Sequence, residues 1–170
     1  TLFPYTTLFR STKPVHPLKV WLFNAEDPRD EMDRRIMAAA KHHGLRPADM
    51  AGRLYLDTGR EQELVIAVDR KNGVVINVPV VAAIISVIKE NNVDVMILDP
   101  FVSTHGVSEN DNGAMLYFLS QRVERIRQAV NPDAGVILAH HTKKLGKRQF
   151  EEDPFQALAG AGSLRGYYSS

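Results

Sequence analysis

Cysteine is absent from all 170 residues, which removes disulfide frameworks and thiolate metal sites and suits a reducing compartment such as the cytoplasm. No apolar run approaches the roughly 20 residues that a bilayer span requires, so no membrane association is expected. Net charge is small: 21 Lys and Arg stand against 20 Asp and Glu, leaving +1. That balance excludes a nucleic-acid binder that is basic over its whole surface and leaves room only for a local patch. The candidate patch is "HTKKLGKR", which carries Lys143, Lys144, Lys147 and Arg148 in a segment without apolar period. There is no internal repeat and no low-complexity tract. With 44% apolar and 24% charged residues, the chain can bury the core of one globular α/β domain.

The first eleven residues, "TLFPYTTLFRS", match nothing in the rest of the chain. They are rich in aromatics and threonine, with neither period nor helix cap. The peptide is, residue for residue, the translation of a common sequencing-adapter oligonucleotide. Residues 1–11 are therefore expected to be an artefact, and residues 12–170 the domain.

From Leu18 the pattern is regular. "LKVWLFN" is a strand, and in "AEDP" Asp27 is placed to cap a helix whose first position Pro28 suits. That helix is expected to run to about His43, with Met32, Ile36 and Ala39 or Ala40 on its apolar face and Gly44 as its stop. "RLYLD" is a second strand. "ELVIAVDRKNGVVINV" is a hairpin expected to turn at Asn72-Gly73. A helix over 79–91 carries Val81, Ile84, Ile85 and Ile88 on one face. "VDVMILD" is a fully apolar strand. The longest helix is expected over 111–130, with Met115, Leu119, Val123, Ile126 and Val130 as its stripe, and "GVILAHH" is a further buried strand. Strands alternating with helices predict an α/β fold with a mostly parallel sheet covered on both faces.

In such a sheet, ligands bind beyond the carboxyl ends of the strands. Three strands finish there in residues useful to chemistry: Glu26 and Asp27, Asp99, and His140 and His141. Each also has a plain structural explanation. Asp27 caps, Asp99-Pro100 turns, and a strand-end histidine is often a satisfied rim residue. Three such ends in one sheet point to a shared polar site.

"FNAEDP" after a strand, "ILDPFVSTHGVSENDN", "LAHHTKK" and "GAGSLRGYY", in that order, resemble the RecA-like P-loop ATPases related to the plasmid replicative helicase RepA, within the DnaB-type helicase group. The resemblance covers about residues 17–168. It implies the motor domain of a replication or recombination ATPase, with ATP and Mg²⁺ as cofactors, single-stranded DNA as partner and a hexameric ring as assembly. It implies that Glu26 activates the attacking water, that Asp99 is the Walker B carboxylate holding Mg²⁺ through water, and that His140, with His141 second, senses the γ-phosphate. Arg165 is placed as the arginine that reaches a neighbour's nucleotide. Lys143, Lys144, Lys147 and Arg148 would face DNA or a neighbouring subunit, against the plain alternative of a solvated charge run. These residue types are the ones phosphoryl transfer needs: a carboxylate near the metal, a group that positions water, and donors to developing negative charge. His105, Ser108, Glu109, Asn110 and Asn112 line the loop after Asp99 as candidates for contact with metal-bound water or DNA. Asn110 to Asn112 serve equally as a helix cap. Glu109 is the second candidate for a catalytic base.

The departure from the resemblance is the phosphate cradle. G-x-x-x-x-G-K-[ST] does not occur, since the Gly146-Lys147 pair is followed by Arg148 and the first glycine position is His141. The expectation is a fragment: a RecA-like core lacking the strand, loop and helix of the cradle, which in that fold precede the strand bearing Glu26, and therefore inactive alone. Two other classes stay open. A metal-dependent phosphoesterase would use Asp99, His105, His140 and His141 as direct ligands. A non-catalytic DNA-binding module would use only the basic segment.

Overall fold

The computed structural model describes residues 16–141, apart from 125, 127 and 129–133. Strand β1 (Val20–Asn24) is followed by α1 (Arg29–His42), the short α2 (Pro47–Met50), β2 (Leu54–Thr58), the hairpin β3 (Ala67–Arg70) and β4 (Gly73–Ile76), and α3 (Val78–Asn91). Next come β5 (Val95–Asp99), a 3₁₀ turn (Phe101–Thr104), β6 (His105–Gly106), α4 (Asn112–Phe118), a π turn (Leu119–Val123) and β7 (Gly135–Leu138).

The apolar runs become a four-stranded sheet in the order β2-β1-β5-β7, parallel throughout. β5 lies inside it, between β1 and β7. Side chains alternate across a sheet, so Trp21 and Phe23 of β1 share a face with their register partners Met96 and Leu98 of β5. All four are buried and pack with Ile84 and Ile88 of α3 and with Met115, Phe118, Leu119 and Val123 beyond β5 in one core cluster. The opposite face is less covered than the apolar pattern predicts: Ile137 on β7 is 52% exposed, and Leu22 and Ile97 are only half-buried. β7 is thus more exposed than the buried strand expected, and among the described residues it is paired on one side only, by β5.

Four local expectations change. Asp27 does not cap α1: the N-cap is Pro28, without a side-chain cap, because Asp27 Oδ2 is taken by Asn24 Nδ2 at 3.2 Å and Arg35 Nη1 at 2.8 Å. The hairpin turns one residue earlier than expected, since Arg70 pairs with Gly73; Lys71 and Asn72 form the loop, and only Gly73 takes the positive φ, at 105°. The hairpin also joins a second sheet, β4-β3-β6, in which β6 runs parallel to β3. Finally, the long helix is not uniform. Met115, Leu119 and Val123 recur every four residues, a spacing that drifts around a 3.6-residue helix. The wider π turn over Leu119–Val123 keeps both of its apolar ends buried. Val130 lies outside the described residues.

Helix α4 has its cap in the expected region, at Asp111, whose Oδ1 accepts from the backbone N–H of Gly113 at 2.9 Å and Ala114 at 3.0 Å. Asp111→Ala is expected to cost about 1 kcal/mol, read as a lower midpoint with unchanged slope in urea unfolding.

Candidate functional site at the carboxyl end of the sheet

One rung of the parallel ladder joins Thr58, Asn24 and Asp99. Backbone bonds extend the rung beyond the strands, from Ala25 N to Asp99 O at 2.7 Å, Gly59 N to Asn24 O at 2.9 Å and Phe101 N to Ala139 O at 2.7 Å. The ends of all four strands are therefore locked to one another, and the loop after each strand starts from a fixed point.

Asn24 and Thr58, both buried, shape the loop after β1. Asn24 Oδ1 accepts from the backbone N–H of Glu26 at 2.9 Å and of Asp27 at 2.8 Å, which turns the chain at once after the strand. Thr58 Oγ1 donates to Asp27 O at 2.7 Å, and Arg60 Nε donates to Glu26 O at 3.0 Å. Gly59 is required by close approach, because a Cβ there would stand 2.9 Å from Ala25 Cα. The loop bearing Glu26 is thus held by its backbone while the Glu26 side chain stays exposed. The sequence pattern alone did not single out Asn24, Thr58 and Gly59; the available signal was a polar residue ending each of two apolar strands.

Asp99 is half-buried at the end of the interior strand β5. The two histidines after β7 part company. His141 is exposed, with Nε2 3.5 Å from Glu26 Oε1. The His140 side chain is only 3% exposed, and its Nε2 lies 3.0 Å from Glu109 Oε1. The structure therefore brings Glu26 and His141 together at the open surface and turns His140 inward beside Glu109. His105, expected in the loop as a contact for water or DNA, is instead buried, with ring centroids 4.6 Å from Phe101 and 5.1 Å from Phe118. Burial pushes its pKa down to about 4, and the neighbouring His140 adds to the depression. Ser108 and Asn110 are exposed. Lys143, Lys144, Lys147, Arg148 and Arg165 lie outside the described residues.

Among the described residues no three His, Asp or Glu side chains converge as a metal-ligand set, which leaves the direct-ligand phosphoesterase without support. A lone carboxylate at an interior strand end fits a hydrated Mg²⁺ held jointly with phosphates. A pocket of about 280 Å³ exists elsewhere, between β1 and the start of α3, with Trp21, Phe23, Asp57, Leu64, Val80 and Ile84 among its lining residues. Its walls are mostly apolar, Trp21 Nε1 donates to Asp57 at 2.6 Å inside it, and it includes none of the strand-end residues. The polar strand ends are therefore the better candidate for phosphate chemistry.

A parallel sheet flanked by helices, with its polar groups gathered at the carboxyl ends of β1, β5 and β7, is the frame of a RecA-like ATPase core. A family model described as an AAA domain matches residues 5–147, and the chain belongs to that family of ATPase domains. No curated protein matches it. Membership implies a nucleotide ligand and, in general, Mg²⁺. No helix among the described residues is long and apolar enough to cross a membrane.

Proposed function

We propose that this chain carries the hydrolytic half of an ATP-driven motor domain of the RepA or DnaB-like helicase type, working on single-stranded DNA as a ring. The observation that carries the reading is the shared rung of Asn24 and Asp99, with Glu26 and His141 side by side just beyond it. Bound Mg²⁺ would neutralise charge on the phosphates, with Asp99 as the residue that holds it. Glu26, exposed on a loop fixed by Asn24, Thr58 and Arg60, accepts the proton of the attacking water and orients it. His141 beside it donates toward developing negative charge. The basic residues Lys143, Lys144, Lys147 and Arg148 come directly after His141 in the chain, so a change at the nucleotide has a short covalent route to the proposed DNA contact. Arg165 is kept as the residue offered to a neighbouring subunit.

The glycine-rich cradle that binds β- and γ-phosphates is not in this sequence, and the residues at the strand ends do not replace it. The 170-residue chain alone is therefore expected to hydrolyse ATP at no more than background rate, measured as phosphate release with Mg²⁺ present. Robust magnesium-dependent turnover by the chain would contradict this assignment of the site. For DNA, binding of a single-stranded oligonucleotide that weakens steeply with salt supports the basic segment as the contact. Salt-independent or absent binding removes that part of the proposal.

A further inference from the structure

The pocket of about 280 Å³ beside β1 has a chemistry that the ATPase reading does not use. Four segments surround it: β1, the end of β2, residues 62–64 and the first turns of α3. Trp21 and Phe23, both buried, line its inner side. Asp57 stands on the same face of the sheet, because it is the register partner of Phe23 on β2. Across from them Val80, Ile84 and Val87 recur at helical spacing along α3, and Ala83 is the smallest side chain of the lining. The charge of the lining is of one sign: it includes two carboxylates, Asp57 and Glu63, and no cation. Both are exposed. Asp57 Oδ2 accepts from Trp21 Nε1 at 2.6 Å, which fixes the carboxylate and leaves Oδ1 as a further acceptor. Among the described residues neither acid has an ion-pair partner, whereas Asp27, Glu31, Asp33 and Asp49 are each matched with an arginine.

We propose that this pocket binds a small organic ammonium ion, with a compact apolar body seated between the aromatic side and the α3 wall and its N–H groups donated to Asp57 Oδ1. Seating the body removes apolar surface of both partners from water. The ammonium supplies the cation that Asp57 and Glu63 lack, in a charge-assisted bond to the carboxylate that Trp21 holds in place. The volume lies just below the roughly 300 Å³ at which small-molecule sites begin, which limits the body to about one ring. The same two carboxylates repel organic anions, so the pocket is closed to phosphates and carboxylates. It contains none of Glu26, Asp99 or His141, and the proposal is therefore independent of the ATPase assignment.

Trp21 is the only tryptophan of the chain, so its fluorescence reports on this pocket. The full chain is titrated at neutral pH, without nucleotide, with three probes of one apolar body: phenethylammonium, neutral 2-phenylethanol and anionic 3-phenylpropionate. Phenethylammonium is expected to change the Trp21 emission saturably and to bind about tenfold more tightly than phenylpropionate, from a modest attraction for one sign and a like repulsion for the other at a partly exposed site. Asp57→Asn, which keeps an acceptor for Trp21 Nε1, is expected to bring the affinity for phenethylammonium down to that for phenylethanol. Ala83→Leu fills the pocket from an exposed helical position with a strong helix former, and is expected to abolish the response to all three probes. The proposal is overturned by the absence of a saturable response to phenethylammonium in the wild type, or by equal affinities for the cation and the anion. Undiminished binding in either variant also overturns it, because the ligand would then sit elsewhere.

Discussion

Glu26→Gln is expected to lower kcat by roughly 10²-fold or more while leaving ATP affinity near its starting value, in a form of the protein that carries a phosphate cradle. The amide keeps the size of the carboxylate and part of its hydrogen bonding but loses the negative charge that draws the proton from water. The surrounding loop should survive the change, because it is held through the backbone N–H and C=O of Glu26, by Asn24 Oδ1 and Arg60 Nε, and not through the carboxylate. Near-normal turnover in this variant would return Glu26 to the role of an acidic residue near a helix start. Glu109, the second candidate base from the sequence, would not inherit the role easily, since its Oε1 is buried, 3.0 Å from His140 Nε2.

Acidification from pH 7 to pH 4 is expected to remove on the order of 3 kcal/mol of folding stability through His105 alone. Its folded pKa is pushed down to about 4 by burial, below the roughly 6.5 of an exposed histidine. Protonation therefore favours the unfolded chain. The stability is fully present above about pH 6.5, falls progressively as the pH drops, and loses no more from this group below about pH 4. Urea unfolding of wild type and His105→Asn across that range isolates the effect. The variant is expected to be less stable at pH 7 and to lose less on acidification, so that the gap between the two proteins narrows as the pH falls. A constant gap would mean that His105 does not titrate against its burial.

The strands of the parallel sheet were legible because each is a short apolar run with a polar residue at or just beyond its end, and the fully apolar Asp99 strand lies inside the sheet as β5. What escaped were choices settled by tertiary partners. Asp27 has the composition of a cap, but Arg35 and Asn24 compete for it. The four-residue repeat of Met115, Leu119 and Val123 has the look of an ordinary stripe, although it fits a π turn better than a straight helix. The two adjacent histidines after β7 are chemically identical in sequence. The structure turns His140 inward beside Glu109 of a distant loop and leaves His141 exposed, and no local pattern reports that.

The central claim is that Asp99 exists to hold a metal beside bound phosphates, and the Mg²⁺ dependence of nucleotide affinity tests it most directly. ATP binding should be titrated with and without Mg²⁺ in the cradle-bearing protein and in its Asp99→Asn variant. The account predicts that wild type binds markedly tighter with Mg²⁺, and that the variant loses most of this gain while its metal-free affinity is unchanged or improved by the removed charge. An Asp99→Asn protein with the same Mg²⁺-dependent gain as wild type would contradict it.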